Sequence, residues 1–216
     1  MVKGVPGHIL DEFVEVCHAA AARGLVRCSS GNLSRRLDDV RFLATASGSW
    51  MENLTLEQVS LCATADGALL QGPGPTMEIG FHAGILRTRP DIDVVLHFQS
   101  PYATALACRS THDLNYFVIP EIPFHIGPVA RIPFLMPGSA ELAEAVSEAM
   151  QHHDMVVMGN HGMVTVAVDN DHAIRNADLF ELACQILICN GHSLEPISKE
   201  DVESLLKLRR DASEGV

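Results

Sequence analysis

Short apolar runs alternate with longer amphipathic segments along most of the chain, and this alternation limits the folds open to it. Seven runs of three to six residues have the β-branched and apolar content of strands, and six segments carry apolar residues at helical spacing. The predicted strands are 40–44, 59–63, 94–96, 115–119, 129–134, 155–158 and 163–168. The predicted helices are 9–23, 77–89, 101–108, 140–150, 171–189 and 199–209. Together they indicate an α/β protein.

The order of these elements predicts how they assemble. The Asp66-Gly67 pair favours a tight turn between strands, whereas other strands are separated by helices. We therefore expect a three-layer α/β/α fold, with a mixed, mainly antiparallel central sheet and helices on both faces. The length of 216 residues fits a single domain over 1–216, with a flexible charged tail at about 209–216.

The composition excludes several classes of protein. Hydrophobic residues make up 47% of the chain and charged residues 19%, as in soluble globular proteins. The net charge of −12 opposes binding to nucleic acid, which rewards basic surfaces. No apolar run approaches the roughly 20 residues needed to cross a membrane, so we expect a cytoplasmic protein. Six cysteines without a C-x-x-C pair are expected to be reduced thiols.

A first candidate site lies at the end of the predicted strand 94–96. His97 and Gln99 are two residues apart, so on an extended strand both side chains point to the same face. Pro101 then favours the start of a helix, and strand ends are where α/β proteins place their sites. His97 and Gln99 could hold one ion. The alternative is that His97 ends a strand and Gln99 bonds to the backbone.

Two further segments supply candidate ligands. His161 lies in the sequence Gly-Asn-His-Gly between two predicted strands, where glycines let the backbone bend sharply. Glu78 follows the turn-rich sequence Pro-Gly-Pro-Thr-Met and opens a predicted helix. Each residue also has a structural interpretation: His161 could stabilise a tight turn, and Glu78 could offset the dipole of its helix.

The order of these blocks resembles the class II aldolase/adducin family. They read S-S-G-N-L-S, T-A-S-G, P-T-M-E, R-P-D-I-D-V-V-L-H-F-Q-S-P-Y-A-T-A-L-A and N-H-G-M, between about residues 13 and 187. The family includes enzymes acting on fuculose, rhamnulose and ribulose phosphates. The resemblance implies a metal-dependent enzyme of carbohydrate metabolism and a homotetramer with active sites near the subunit boundaries.

The resemblance also assigns the metal site. Family aldolases bind a divalent metal, usually zinc, through an H-x-H block and a later histidine, which correspond to His97, Gln99 and His161. Gln99 departs from this pattern, since an amide oxygen is a weaker zinc ligand than an imidazole nitrogen. Gln99 could bind weakly, water could replace it, the metal could differ, or the metal function could be reduced. Glu78 matches the family carboxylate that moves protons on the substrate.

The phosphate-binding part of the family site matches less completely. Its counterparts here are Gly31 and Asn32, Ser47 and Gly48, and Thr76. These short Gly-Asn and Ser-Gly pairs also occur in ordinary turns. Met77 stands where family enzymes commonly carry a second hydroxyl residue. The tyrosine that acts as an acid in the fuculose-phosphate enzymes of the family has no secure counterpart in this sequence. Tyr116 is near that position, although strand packing is the favoured explanation for it.

These correspondences predict an aldehyde-lyase that cleaves a small sugar or sugar phosphate by a retro-aldol reaction. In the family reaction the metal acts as a Lewis acid and stabilises the enediolate left by the broken bond. Two alternatives stay open. One is an epimerase, decarboxylase or dehydratase of the same family. The other is a non-catalytic, adducin-like interaction domain, which the loss of a ligand at Gln99 would favour.

Overall fold

One sheet of eight strands forms the centre of the protein. The computed structural model describes residues 2–110, 114–190 and 194–214. The strands are β1 Asn32–Arg36, β2 Arg41–Thr45, β3 Val59–Ala63, β4 Leu69–Gln71, β5 Val94–Phe98, β6 Val129–Ile132, β7 Met155–Met158 and β8 Gly162–Ala167. The helices are α1 Gly7–Ala22, α2 Ile79–Thr88, α3 Pro101–Ala107, α4 Ala140–Ala149, α5 Asn170–Asn190 and α6 Lys199–Glu214.

The strand order across the sheet is β4-β3-β2-β1-β5-β8-β7-β6. Every neighbouring pair is antiparallel except β6 and β7, which are parallel. The turn at Asp66-Gly67 joins β3 to β4, and the Asp66 carboxylate accepts a hydrogen bond from the amide of Ala68 at 3.0 Å. The structure thus confirms the predicted mixed, mainly antiparallel sheet.

Helices cover both faces of this sheet and create two apolar cores. One core packs α1, α3 and α5 against the sheet, and Leu96 and Phe98 of β5 contribute to it. The other packs α2 and α4 against the opposite face, where Val95 of β5 contributes. Because side chains alternate along a strand, His97 faces the α2 side, as Val95 does. The fold is therefore the expected three-layer α/β/α arrangement.

Three local predictions differ from the structure. Residues 115–119 do not form a strand, because the amide of Val118 bonds to the carbonyl of Tyr116 at 2.9 Å and bends the chain. Strands β1 and β4 were not predicted, since their sequences are polar or very short. Helix α6 continues to Glu214, beyond the predicted start of the tail, and Arg209 forms an ion pair with Asp154. Residues 215 and 216 lie outside the described part of the chain.

Two composition-based expectations can be compared with the structure. Within the described residues, no helix is both long and apolar enough to cross a membrane. All six cysteines have free thiols, as predicted, and Cys17, Cys62 and Cys184 are buried.

A carboxylate from α5 holds the start of α3. Glu181 accepts hydrogen bonds from the amides of Tyr102 and Ala103 at 2.9 and 2.8 Å, and from the Ser100 hydroxyl at 2.6 Å. These amides belong to the first turn of a helix, where they have no partner within the helix itself. Glu181 therefore fixes the connection from β5 to α3, which contains Gln99.

We expect Glu181→Gln to lower the free energy of unfolding by about 1–2 kcal/mol, because glutamine keeps one accepting oxygen but places an N–H group against a donor. Denaturant unfolding measures this loss. Glu144→Gln, at an exposed position of α4, is the matched control and should change stability by less than about 0.5 kcal/mol. Equal losses in both variants would show that Glu181 does not support α3.

Candidate metal centre

Glu78 is a buried carboxylate at the N-terminus of α2. The chain that leads into the helix is fixed against β2, since the amide of Thr76 bonds to the carbonyl of Thr45 at 2.9 Å. The Thr76 hydroxyl accepts a hydrogen bond from the amide of Glu78 at 3.3 Å. Only 8% of Glu78 is exposed. Its carboxylate is therefore held at one place between α2 and the sheet.

His97 lies in the middle of the sheet, near the end of β5. It pairs with Asn32 of β1 on one side and with Val164 of β8 on the other. Its Nδ1 lies 2.8 Å from the carbonyl oxygen of Met163, so Nδ1 carries the proton and donates it. The lone pair of neutral His97 is then on Nε2, which faces Glu78.

His161 occupies the tight connection between β7 and β8. Asn160 has a φ of 54°, in the left-handed region that asparagine tolerates, and this bend turns the chain back into β8. Burial and the neighbouring His97 lower the pKa of His161, although Glu78 opposes the shift. The imidazole of His161 is therefore kept neutral at neutral pH and can donate a lone pair.

The three side chains converge on one point. Nε2 of His97 lies 3.4 Å from Oε2 of Glu78, and Nε2 of His161 lies 3.4 Å from Oε1. One ligand atom from each residue lies within 4.8 Å of the others. Tetrahedral ligands at about 2.1 Å from one zinc ion are separated by about 3.4 Å. The predicted convergence of His97 and His161 is thus present in the structure.

Two buried polar atoms of this cluster have no hydrogen-bond partner among the described residues: Oε1 of Glu78 and Nδ1 of His161. A buried polar atom without a partner costs about 1–3 kcal/mol. A cation bound between the carboxylate and the imidazoles would compensate part of this cost. The donor set of one carboxylate and two neutral imidazoles also suits a divalent metal such as zinc. These residues therefore fit the metal that the family resemblance implies.

Gln99 lies one residue beyond β5, beside the same cluster. A Cβ atom at Gly162 would be 2.8 Å from Cγ of Gln99 and 3.0 Å from Cε1 of His97. The side chain of Gln99 therefore packs against Gly162, the residue that follows His161. This position is compatible with the predicted ligand role, which stays a prediction.

Two of the predicted anion-binding residues, Asn32 and Thr76, contact Glu78 directly. Gly31 lies against β5, since a Cβ there would be 2.8 Å from the carbonyl oxygen of His97. The amide of Ser47 bonds to the carbonyl of Gly74 at 3.0 Å, which brings the exposed Ser47-Gly48 turn beside the buried Thr76. Met77 is 71% exposed next to Glu78. The segment that leads into α2 thus places the Thr76 hydroxyl and the exposed Met77 side chain next to Glu78.

Asn32 is the predicted anion-binding residue whose side chain bonds to the Glu78 carboxylate. Its Nδ2 donates to Oε2 of Glu78 at 2.9 Å, and its Oδ1 lies 2.6 Å from Nε2 of His82. Nδ1 of His82 in turn lies 2.7 Å from the Ser34 hydroxyl. The sequence analysis did not identify His82 or Ser34. Helical i, i+4 spacing places Glu78 and His82 on one face of α2, and strand i, i+2 spacing places Asn32 and Ser34 on one face of β1. Neither spacing shows that these two faces meet.

Several other polar residues lie outside the cluster of Glu78, His97 and His161. Tyr116 belongs to the core on the opposite face of the sheet, where its ring packs 4.9 Å from that of Phe180 and burial raises its pKa to about 12. His125 lines a surface groove together with Arg175 and Arg209. His153 follows α4, and its Nδ1 lies 2.9 Å from the carbonyl oxygen of Ala149.

Comparison with known proteins places this geometry in context. The model of the Class II Aldolase and Adducin N-terminal domain matches residues 11–188. A 3-oxo-tetronate 4-phosphate decarboxylase from Haemophilus influenzae is 32% identical, over 85% of this chain and 89% of the relative. An L-fuculose phosphate aldolase from Methanococcus maripaludis is 30% identical, over 82% of this chain and 94% of the relative.

A solved structure supports the same placement. YgbL from Escherichia coli, described as an aldolase/epimerase/decarboxylase candidate, superposes with a TM-score of 0.87 at 26% identity. The superposition covers 92% of this chain and 98% of YgbL. The similarity therefore includes nearly the whole of both chains.

We expect Gly162→Ala to disrupt the cluster, because the new methyl group would approach the carbonyl oxygen of Phe98 to 2.8 Å as well as His97 and Gln99. Zinc affinity should fall about tenfold or more, as happens when the support of a metal ligand is perturbed. Competition with a chromogenic chelator measures this. Gly7→Ala is the control, since a Cβ at Gly7 meets no atom within 4 Å. Unchanged zinc affinity in folded Gly162→Ala would contradict the proposed convergence of ligands.

Proposed function

This chain belongs to the class II aldolase and adducin family, and we propose that it is a metal-dependent carbon–carbon lyase that decarboxylates a small phosphorylated 3-oxo sugar acid. The observation that carries the proposal is the buried Glu78 carboxylate, whose Oε1 has no hydrogen-bond partner in the described part of the chain and lies 3.4 Å from Nε2 of His161. His97 and His161, with Gln99 as a third ligand, would hold the metal, and Glu78 would move the proton.

The substrate class follows from the chemistry these groups can support. In a 3-oxo acid the carboxylate is attached to carbon 2, beside the carbonyl at carbon 3. When the bond between carbons 1 and 2 breaks, CO₂ leaves and the electron pair moves toward the carbonyl oxygen. A divalent metal would supply Lewis-acid stabilisation of that developing charge. A proton must then be added to carbon 2.

Glu78 is suited to relay that proton, which its carboxylate would take from water and pass to carbon 2. It is the only carboxylate in the Glu78, His97 and His161 cluster found among the described residues. A retro-aldol cleavage needs a second group that removes a proton from the substrate hydroxyl. This step is the reverse of the proton donation in which the family tyrosine acts as an acid. Tyr116 packs on the opposite face of the sheet and offers no such group. One proton-transfer residue is sufficient for decarboxylation, which favours it over retro-aldol cleavage.

The comparisons support the same order of preference. Relatives named as 3-oxo-tetronate 4-phosphate decarboxylases are up to 32% identical over 85% of the chain. Retro-aldol cleavage of a ketose 1-phosphate is the second candidate, supported by the similarity to L-fuculose phosphate aldolase. The retained Glu78, His97 and His161 oppose the third alternative, a non-catalytic interaction domain.

The proposal extends to the phosphate and to assembly. We propose that Gly31, Ser47, Gly48 and Thr76 receive the substrate phosphate, because Thr76 bonds to Glu78, Gly31 lies against His97, and Ser47 and Gly48 form an exposed turn. We also propose that residues 1–216 act as one domain within a homotetramer. The exposed apolar side chains of Met77, Phe134 and Met136 support an interface beside the site, since such groups are usually covered.

We expect the zinc-loaded protein to release CO₂ from a 3-oxo-tetronate 4-phosphate faster than it releases an aldehyde from ketose 1-phosphates. Coupled assays of both products on one enzyme preparation measure the preference. Glu78→Gln at saturating zinc should lower the decarboxylation rate about 10²–10⁴-fold, because it removes the carboxylate that would relay the proton while keeping the volume. Aldehyde release without CO₂ release would replace decarboxylation with the aldolase activity.

We expect Gln99→His to raise zinc affinity about tenfold, because a nitrogen donor suits zinc better than an amide oxygen does. Titration against a competing chelator measures the change. Gln185→His, a substitution on the exposed side of α5, is the matched control for an added surface imidazole. Equal affinities in Gln99→His and the parent would show that position 99 does not face the metal.

A further inference from the structure

A continuous chain of buried hydrogen bonds ends on Glu78. It runs from the hydroxyl of Ser34 to the ring of His82, from His82 to the amide of Asn32, and from Asn32 to Oε2 of Glu78. The three contacts measure 2.7, 2.6 and 2.9 Å in that order. Ser34 and His82 are fully buried, and Asn32 is 7% exposed. Water therefore has little access to these groups, and each depends on the next.

The charge on Glu78 determines which atom donates and which accepts in each hydrogen bond from Ser34 to Glu78. A carboxylate can only accept, so Asn32 must turn its Nδ2 toward Oε2. Oδ1 of Asn32 then faces His82 and can only accept, which requires a proton on Nε2 of His82. Nδ1 of His82 is left with a lone pair, so the Ser34 hydroxyl donates to it. One tautomer of His82 thus follows from the position of Glu78.

His82 is suited to this fixed role. Burial, with a smaller effect from His97, lowers its pKa to about 3, so the ring is neutral throughout the physiological range. The ring stacks on Phe81 at a centroid distance of 4.7 Å. Its position on α2, one helical turn after Glu78, places both residues on the helix face that meets β1. The ring therefore has one orientation and one protonation state.

We infer that His82 is a positioning residue that, through Asn32, fixes the carboxylate of Glu78 so that Oε2 is held beside His97 and Oε1 is presented to His161 and the substrate. Oε1 faces His161 and has no hydrogen-bond partner among residues 2–110, 114–190 and 194–214. The use of Oε1 in proton transfer rests on the proposed function. The orientation of the carboxylate rests on the contacts alone. The inference also assigns Asn32 to Glu78 rather than to phosphate binding.

Nitrogen-15 NMR of the histidine rings in the full-length protein tests the predicted tautomer directly. The chain contains 11 histidines, and loss of one ring signal in His82→Gln identifies His82. We expect Nε2 of His82 to carry the proton and Nδ1 to have the shift of an unprotonated nitrogen between pH 6 and 8. A proton on Nδ1, or a charged ring, would reverse the hydrogen bonds and overturn the inference. This measurement needs no destabilised variant.

Two substitutions test the consequence for the site. His82→Phe keeps a ring against Phe81 but removes the donor to Asn32, so zinc affinity should fall about 10–100-fold and kcat by a similar factor. In His82→Gln the amide nitrogen takes a position close to that of Nε2 and can donate to Asn32. This variant should recover zinc affinity and kcat to within about threefold of the parent. KM should change less than kcat, since substrate binding is not removed.

Thr165→Val is the matched control, because it deletes a fully buried hydroxyl that bonds to the carbonyl of Asp154 at 2.9 Å, away from Glu78. It should lower the melting temperature without changing zinc affinity. Zinc affinity lowered in His82→Phe and restored in His82→Gln would support the inference even if no CO₂ were released, in which case only the proposed reaction would fail. Equal zinc affinities in His82→Phe and the parent would overturn it.

Discussion

The pairing of β5 with β1 on one side and β8 on the other is the constraint on which the site depends. This register sets Asn32 opposite His97 and places the Gly162 backbone against Phe98. A shift by one residue would turn His97 into the core on the α5 side, because side chains alternate between faces. The sheet centre, buried on both faces, therefore fixes one ligand, and the neighbouring loops bring His161 and Glu78 to it.

Burial of these polar atoms costs free energy, and hydrogen bonds offset that cost for some of the atoms only. Nδ1 of His97 bonds to Met163, and Oε2 of Glu78 bonds to Asn32. Oε1 of Glu78 and Nδ1 of His161 have no partner among the described residues. The bonded atoms orient the side chains, and Oε1 of Glu78 together with Nε2 of each histidine marks where a cation and substrate would bind. Stability and function thus use different atoms of the same residues.

The sequence predicted the parts of this protein that depend on local pattern. The His97, His161 and Glu78 blocks lie at strand or helix ends with recognisable turn residues. The partnership of His82 with Asn32 could not be predicted, because it arises from α2 packing against β1, a strand too polar to show alternation. The apolar run at 115–119 was wrongly predicted as a strand, since burial of Tyr116 beside Phe180 needs no strand partner.

The central claim is that Glu78, His97 and His161 surround one metal ion. Anomalous diffraction from crystals grown with zinc, recorded on both sides of the zinc absorption edge, tests it most directly. The account predicts a single strong peak about 2.0–2.1 Å from an imidazole nitrogen of each histidine, with a carboxylate oxygen of Glu78 beside it. A peak only at other residues, with both imidazoles free of zinc at saturating metal, would contradict the account.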